Sequence, residues 1–369
     1  MDEAEAGGPA ENPGDPLPEN IRAAALLLRD LPDPVLLVAM DSRILLANRA
    51  AAEIFGDDLR GHPIFSVVRQ PEAVEALRRG LTEKVAAEAR FVLATAAAET
   101  VFRVAVRPFP AETGYDGILV SLHDISHVEE AEQMRRDFVA NVSHELRSPL
   151  TALTGFIETL RGPARNDAEA RERFLTIMEQ ESSRMARIVA DLLTLSKVEA
   201  SERVRPREVV AIREVVDDTL SALRPQIAEH DMRIRFDKGP EGLCVPGDRD
   251  QLTQVLHNLV ENAVKYGDVG GEVHITISEL PAMPGFAGPV ASIEVSDQGE
   301  GIDPIHIPRL TERFYRVDAH RSREMGGTGL GLAIVKHIVN RHRGRTSIRS
   351  VRGEGSIFAV FLPVASPGD

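Results

Sequence analysis

The spacing of apolar residues follows three different patterns in turn along the 369 residues of the chain. From about residue 31 to residue 124, short apolar runs alternate with turn residues, a pattern typical of a small sheet. A short helix is expected over Asn48 to Phe55, with Gly56 closing it. The strands expected in this region are Leu31 to Val38, Ile44 to Leu46, Phe102 to Arg107 and Ile118 to Leu122.

From Glu129 onward, apolar residues recur every three or four positions, which predicts a long amphipathic helix that Gly162 and Pro163 end. A second helix follows with two heptad series, one of them interrupted by Glu181. Two such helices joined by a short turn form a hairpin with an apolar seam open to water. Pairing two hairpins as a dimeric four-helix bundle buries that seam, so the pattern predicts a homodimer.

Beyond Pro206 the chain returns to a mixed α/β pattern. A helix is expected over Asp250 to Tyr266, and strands over Val273 to Ile277 and Ser292 to Val295. A last helix and a β-hairpin over Thr346 to Leu362 complete this region. Three regions of different pattern predict a multidomain α+β protein.

Composition narrows the classes of function. A net charge of −14 opposes attraction to nucleic acid or anionic lipid, so neither is an expected partner. One cysteine, Cys244, excludes an intramolecular disulfide framework and a cysteine-based metal cluster, and suits a reducing cytosol. No apolar run approaches the roughly 20 residues that span a bilayer. The acidic, Pro/Gly-rich start is expected to be a disordered leader over residues 1–29.

The first region resembles a PAS sensor domain, especially in the strings "RILLANRAAAEIFG" and "LVSLHDIS". This resemblance implies a PAS-like α/β domain over residues 30–128. His62 and His123 are candidate haem ligands in such a fold, but isolated histidines are more often structural or surface residues. We therefore assign the domain no cofactor.

On the first long helix, His144 lies two positions from both Val142 and Leu146, which at about 100° per residue turns it away from the apolar seam. Ser148 lies one turn further on the same face, and Pro149 removes a backbone hydrogen bond there. An exposed histidine beside charged residues is by itself an ordinary solvated helix face.

The longer string "RRDFVANVSHELRSPLTALTGFIETL" closely resembles the phosphoacceptor helix of HisKA-type histidine kinases. That resemblance implies that His144 is the nucleophile and that Glu145 orients the imidazole and accepts its proton. Ser148 occupies a position where the family usually carries Thr or Asn, which orients water for dephosphorylation of a partner. Whether Ser148 supports a phosphatase activity stays open.

The helix before Tyr266 has an apolar stripe on one side and Asn258, Asn262 and Lys265 on the other. Carboxamide oxygens suit Mg²⁺ and an ammonium suits phosphate, although the same residues also fit a wet helix face. Further on, "DQGEGI" and "GGTGLGLAIVKHIV" place glycines after a strand and at the start of a helix, where free amides attract phosphate. Neither a dinucleotide-binding βαβ unit nor a Walker-type G-K-[ST] motif accompanies them.

In order, "NLVENAVKY", "DQGEGI", "ERFYR" and "GGTGLGLAI" resemble the N, G1, F and G2 boxes of the histidine-kinase ATP-binding domain, which shares its α/β sandwich fold with gyrase B. The resemblance implies ATP and Mg²⁺ as cofactors, with Asn262 and Asn258 as metal ligands. It implies that Asp297 accepts from the adenine amino group and that Arg316 reaches the γ-phosphate. The remaining nucleotide-binding residues it implies are Lys265, Tyr266, Gly299, Gly301, Gly327, Thr328, Leu330, Gly329 and Gly331, with Gly326 beside them.

These resemblances imply a sensor histidine kinase: a protein-histidine kinase that phosphorylates His144 and passes the phosphoryl group to an aspartate on a response regulator receiver domain. The expected domains are PAS-like over 30–128, a dimerisation and phosphotransfer hairpin over 129–203, and a catalytic ATP-binding domain over 204–369. Two other classes remain as alternatives: a non-catalytic or phosphatase-biased scaffold, and an ATPase of the gyrase kind. The filled catalytic positions oppose the first, and the acidic charge and phosphoacceptor string oppose the second.

The order of domains is most similar to phosphate-regulon sensor kinases, which usually carry N-terminal membrane helices. A truncated gene start or a soluble relative would each explain why this sequence shows none. We expect a cytoplasmic location, with membrane association through a partner as the alternative. The stimulus, the cognate regulator and the choice between phosphorylation within one chain or between two chains cannot be derived from these patterns.

Overall fold

The structure is a computed structural model that describes residues 25–94, 99–109, 116–201, 204–268, 270–318 and 327–365. The chain divides into two compact units at the junction of Asp137 and Phe138. Most of the leader expected over residues 1–29 lies outside the described residues.

The first unit is built on a five-stranded antiparallel sheet with strand order β2-β1-β5-β4-β3. Asn48 caps helix α1: its buried Oδ1 accepts from Ala51 N at 3.0 Å and from Val35 N at 2.9 Å. One amide group thus ties the helix start to the sheet. The elements are β1 (Val35–Ala39), β2 (Ile44–Ala47), α1 (Arg49–Phe55), a 3₁₀ turn (Ile64–Ser66), α2 (Pro71–Thr82), β3 (Ala87–Ala94), β4 (Glu99–Phe109) and β5 (Gly117–Asp124).

Gly56 ends α1 with φ of 102°, as the sequence predicts. The interior of this sheet is filled by apolar side chains that include Leu36, Leu77 and Ile118, each fully buried. His62 and His123 lie at the surface, where His123 Nδ1 is 2.7 Å from Asp33 Oδ2.

Two long helices follow, α3 (Ser126–Arg161) and α4 (Ala168–Ser201). Helix α3 begins three residues before the predicted start at Glu129, and it ends directly before Gly162 as predicted. It continues through Pro149, whose ring is buried. Among the described helices, none combines the length and the apolar composition that crossing a bilayer requires.

The C-terminal part of the second unit is an α/β sandwich. Its sheet has strand order β11-β12-β10-β9-β7, with β7 parallel to β9 and the other neighbours antiparallel. A two-stranded sheet, β6-β8, lies beside it. The elements are β6 (Glu208–Ala211), α5 (Ile212–Glu229), β7 (Arg233–Asp237), β8 (Cys244–Gly247), α6 (Arg249–Tyr266), β9 (Glu272–Leu280), β10 (Val290–Asp297), a 3₁₀ turn (Ile307–Arg309), α7 (Gly331–Arg341), β11 (Arg345–Val351) and β12 (Gly355–Pro363).

Alternate side chains of β12 point to opposite faces of the sheet and join two different hydrophobic clusters. Phe358, Val360 and Leu362 belong to the core that helices α5, α6 and α7 cover, whereas Ala359 and Phe361 join a smaller cluster on the opposite face. The main core also includes Leu195 and Val198 of α4, so the end of the hairpin packs directly on the sandwich. This packing brings the hairpin within reach of the site described next.

Candidate functional site

Helix α6 supplies one wall of the site. Asp248 caps its start by accepting from Gln251 N at 3.2 Å, while Leu252, Leu256 and Leu259 of the helix are buried in the core. The opposite side carries the polar residues that the sequence predicts as ligands. They line a cavity of about 370 Å³, a size typical of small-molecule pockets.

The two asparagines of α6 differ in their bonding. Asn258 is buried: its Nδ2 donates to the Gly331 carbonyl at 3.1 Å, and its Oδ1 accepts from Gln254 at 3.0 Å. Its amide therefore fastens α6 to the first residue of α7. Asn262 is half-buried and lines the cavity, as does Lys265, whose Nζ is 2.8 Å from Glu261 Oε1.

Asp297, at the end of β10, is a buried carboxylate on the cavity wall. Burial raises its pKa, although the hydrogen bonds it accepts from the amides of Gly299 and Ser356 act in the opposite direction. A carboxylate held this way is a strong acceptor for a ligand N–H group inside the pocket. This arrangement fits the adenine-binding role that the resemblance implies for Asp297.

The two glycines after β10, Gly299 and Gly301, allow other backbone segments to pass close by. A side chain at Gly299 would lie 2.1 Å from the Tyr266 carbonyl oxygen, and one at Gly301, where φ is +66°, would lie 2.0 Å from the Val351 carbonyl oxygen. Both positions require glycine because other backbone segments pass so close. Gly301 and Tyr266 also line the cavity, whereas the described contacts of Gly299 are structural.

The glycine-rich segment before α7 forms the far wall. Gly327, Thr328, Gly329 and Gly331 line the cavity, and Gly329 has φ of +72°. Leu330, which the resemblance also implies as a nucleotide-binding residue, is fully buried in the core and does not line the cavity. Gly326 lies outside the described residues.

Arg316 connects the cavity to the helical hairpin. Its side chain is 6% exposed, it lines the cavity, and it donates to the Gly327 carbonyl. Its Nη1 lies 3.8 Å from Oε2 of Glu145 on α3. Next to Glu145 on α3, His144 is exposed, as predicted, and so is Ser148. The structure thus brings the predicted phosphoacceptor region and the predicted phosphate-binding arginine together.

Several cavity residues were not predicted from the sequence. Arg187 and Asp191 of α4 line the pocket, and Thr328 donates its hydroxyl hydrogen to Asp191 at 2.7 Å. Burial raises the pKa of Asp191, and the nearby carboxylate of Glu261 adds to the rise. The heptad break at Glu181 was the available signal, because it marks a charged face on α4 that continues through Arg184 to Asp191.

Three family models match the chain. Residues 28–130 match the PAS fold, and residues 134–201 match the His Kinase A (phospho-acceptor) domain. Residues 247–366 match the histidine kinase-, DNA gyrase B- and HSP90-like ATPase family. These matches confirm the predicted fold class, which combines a PAS-like domain, a helical hairpin and an α/β sandwich.

Similar proteins agree with these matches. The chain is 42% identical over 248 residues to the phosphate regulon sensor protein PhoR of Pseudomonas aeruginosa, covering 66% of this chain and 54% of that protein. It is 33% identical over 352 residues to a sensor protein kinase WalK of Staphylococcus aureus, covering 93% of this chain and 81% of that protein. The chain therefore spans about half of the PhoR relative's length and more of this WalK sequence.

Among solved structures, the histidine kinase ThkA in complex with the response regulator protein TrrA has the same fold, with a TM-score of 0.51 and 23% identity. The match covers 93% of this chain and 98% of ThkA. The phosphoacceptor string, the four boxes around the cavity and the extent of the WalK match lead to one conclusion. This chain belongs to the family of sensor histidine kinases.

Proposed function

We propose that the chain is an ATP-dependent protein-histidine kinase that phosphorylates His144 and then transfers the phosphoryl group to an aspartate of a response regulator. One observation carries this proposal: Arg316 lines the nucleotide-sized cavity and also lies 3.8 Å from Glu145, the residue next to exposed His144. A nucleotide bound in that cavity would have its phosphate end close to the acceptor helix.

In the proposed reaction, one imidazole nitrogen of His144 forms a bond to the γ-phosphorus as the bond from that phosphorus to the bridging oxygen of ADP breaks. The other ring nitrogen gives its proton to Glu145. Arg316 offsets the charge on the transferred group, and the amides of the glycine segment bind the phosphates. Asp297 accepts from the adenine amino group and so fixes the orientation of the base.

The donor set supports Mg²⁺ in the form of its nucleotide complex. Within the described residues, no three His, Cys, Asp or Glu side chains are grouped so that they would hold a metal ion themselves. Asn262 offers a neutral oxygen at the cavity wall, so the phosphates must supply most of the negative charge. Bound Mg²⁺ would neutralise charge on the phosphate oxygens. Asn258 Oδ1 already accepts from Gln254, and its Nδ2 donates to Gly331, so its described role is to fasten α6 to α7.

A homodimer through the hairpin is part of the same proposal. Large apolar side chains on α3 and α4 are exposed in the single chain, among them Leu150, Val189 and Leu193 at 56%, 45% and 59%. Exposed apolar side chains on two adjacent helices favour burial against a second copy. The proposal also includes the domain boundaries 30–128, 129–203 and 204–369, and a cytoplasmic location for these domains, where ATP and receiver domains are found.

The test is autophosphorylation with γ-labelled ATP and Mg²⁺. The purified chain should acquire an acid-labile, base-stable label, and His144→Ala should abolish it. His127→Ala is the matched control, because His127 is a fully exposed histidine on the same helix, and it should keep the label. A label that persists in His144→Ala would refute the assignment, and no label in the unchanged chain would favour a scaffold.

A further inference from the structure

A buried arginine on the second hairpin helix contacts the proposed general base. The Arg184 side chain on α4 is 8% exposed, and its Nη2 donates to Oε2 of Glu145 on α3 at 2.6 Å. Glu181, three residues earlier on the same helix, lies 3.8 Å from Nη1. The guanidinium therefore joins the two helices through the carboxylate beside His144.

Arg184 is not placed to bind a nucleotide. Arg187 and Asp191 of the same helix reach the cavity wall, but Arg184 does not line it. Arg316 does line it and contacts the same Glu145 oxygen at the longer distance of 3.8 Å. When Arg316 turns toward a phosphate, the shorter hydrogen bond from Arg184 would keep Glu145 in place. The two arginines thus have separate tasks.

The described contacts of Glu145 engage one carboxylate oxygen and leave the other for the imidazole of His144. Arg184 and Arg316 both approach Oε2 of Glu145, and the described contacts of Glu145 do not involve Oε1. A carboxylate fixed by one oxygen presents the other in a defined direction, which is what a proton acceptor for His144 needs. Glu145 is itself 21% exposed through its side chain, so water can reach this pair.

Stability alone does not explain why the arginine is there. Its Nε is buried and has no hydrogen-bond partner among the described residues. A buried charge with an unpaired N–H lowers stability, and buried ion pairs are often replaced by apolar side chains without loss. A role in the reaction accounts for keeping a guanidinium at this position.

We infer that Arg184 is a positioning residue for phosphorylation of His144, which holds Glu145 so that its free oxygen faces the imidazole while Arg316 serves the phosphate. This inference rests on the proposed function. It assigns Arg184 an effect on the rate of the chemical step and none on nucleotide binding.

The test compares Arg184→Met and Arg184→Lys in the full chain, alone and combined with Glu145→Gln. Arg184→Met should lower the kcat of autophosphorylation about 10- to 100-fold, the scale of a misplaced catalytic group, with the KM for ATP unchanged. Arg184→Lys, which keeps one donor and the charge, should recover part of the rate. In the Glu145→Gln background, Arg184→Met should cause no further loss, because the residue acts through Glu145.

Arg171→Met, at an exposed position on the same helix, is the matched control and should behave like the unchanged chain. The unfolding midpoint of Arg184→Met should fall, because Glu145 keeps its charge and loses its nearest partner, and it should recover in the double variant with Glu145→Gln. Equal loss of rate in both backgrounds or a raised KM would each overturn the positioning role. Failure of the unchanged chain to acquire label would instead overturn the proposed function.

Discussion

His342 shows how a single buried residue can organise the ATP-binding domain. Its ring is completely buried, Nδ1 lies 2.7 Å from the Ile338 carbonyl, and Nε2 accepts from the Asp248 amide at 3.0 Å. These two bonds define the neutral tautomer with the proton on Nδ1. Because Asp248 caps α6, His342 supports the start of the helix that carries the asparagines.

Stability should therefore depend on pH through His342. Burial lowers the pKa of His342 below its ordinary value of about 6.5. As pH falls below 6.5, the unfolded chain therefore binds a proton at this residue that the folded chain does not bind. The stabilisation is complete above that pH and is lost as pH decreases below it. Thermal unfolding between pH 7.5 and 5.5 should show a steeper fall for the unchanged chain than for His342→Leu.

His342→Leu should also lose about 1 to 3 kcal/mol at neutral pH, because the Asp248 amide loses its buried acceptor. His230→Gln is the control, since His230 lies near the surface of the same domain. It should leave the pH slope unchanged. Parallel curves for His342→Leu and the unchanged chain would contradict the assignment.

Gly329 is a residue whose backbone angle matters for binding. Alanine there would adopt φ of +72°, with its Cβ 2.9 Å from the backbone of Phe314, which donates to the Gly329 carbonyl at 2.8 Å. Gly329→Ala should weaken binding of a non-hydrolysable ATP analogue at least about tenfold, equal to roughly 1.4 kcal/mol. Titration calorimetry measures this, and Gly288→Ala, in open space, should bind normally.

At the scale of elements, helix α4 contributes residues to the cavity as well as to the proposed dimer interface. Arg184, Asp191 and Val198 recur at intervals of seven and so lie on one face of α4: Asp191 and Val198 contact the sandwich, and Arg184 contacts Glu145 on α3. Asp191 places a carboxylate in a cavity that we propose binds a polyanion. The contact with Thr328 holds the glycine segment against the hairpin.

Asp191→Asn should consequently tighten nucleotide binding. Asparagine keeps an acceptor for the Thr328 hydroxyl but removes a charge that repels phosphates, and a contribution on the order of 1 kcal/mol would lower Kd about fivefold. Calorimetry with the ATP analogue at low salt measures the change. Asp250→Asn, which alters an exposed carboxylate on α6, should have no effect. Weaker binding by Asp191→Asn would show that the charge assists the nucleotide.

At the scale of the whole molecule, the hairpin exposes apolar surface that two chains can share. Val189 and Leu193 lie one turn apart on α4 and are 45% and 59% exposed. Changing both to glutamate should weaken the proposed dimer by a factor of at least ten, because burial of each side chain contributes about 1.5 to 3 kcal/mol. Sedimentation equilibrium measures the dissociation constant.

Val209→Glu provides the matched control, because Val209 is 55% exposed in β6 and belongs to neither hairpin helix. It should leave the oligomeric state unchanged. A dimer that survives the double change on α4 would place the interface elsewhere.

Local patterns were sufficient for most elements. The period of three to four residues predicted α3 and α4, and alternation predicted β4, because these periods reflect which side of one element is buried. Their ends moved by a few residues: β9 runs over Glu272–Leu280 where the sequence predicted Val273 to Ile277. Ends depend on neighbouring strands that supply hydrogen bonds, which local sequence does not contain.

At the candidate site, too, local strings predicted single residues but not the contacts between distant ones. Asn262, Asp297 and the glycine segment were predicted because contiguous strings carry their resemblance, and Asn258 was predicted on the wet side of α6 although the structure buries it under α7. The pairing of Glu145 with Arg184 joins residues 39 positions apart, and that of Asp191 with Thr328 joins residues 137 positions apart. Neither pairing has a local pattern.

The sequence by itself determined the family, the exposed histidine on α3 and the residue types around a nucleotide, because each depends on neighbours within a few turns of chain. Tertiary structure decided which carboxylates and guanidinium groups meet between the hairpin and the sandwich. These contacts depend on how α4 packs against α7 and on which charged side chains that packing buries. In this protein, local sequence strings predict the residue types at the site, whereas packing decides which side chains position Glu145 and contact Thr328.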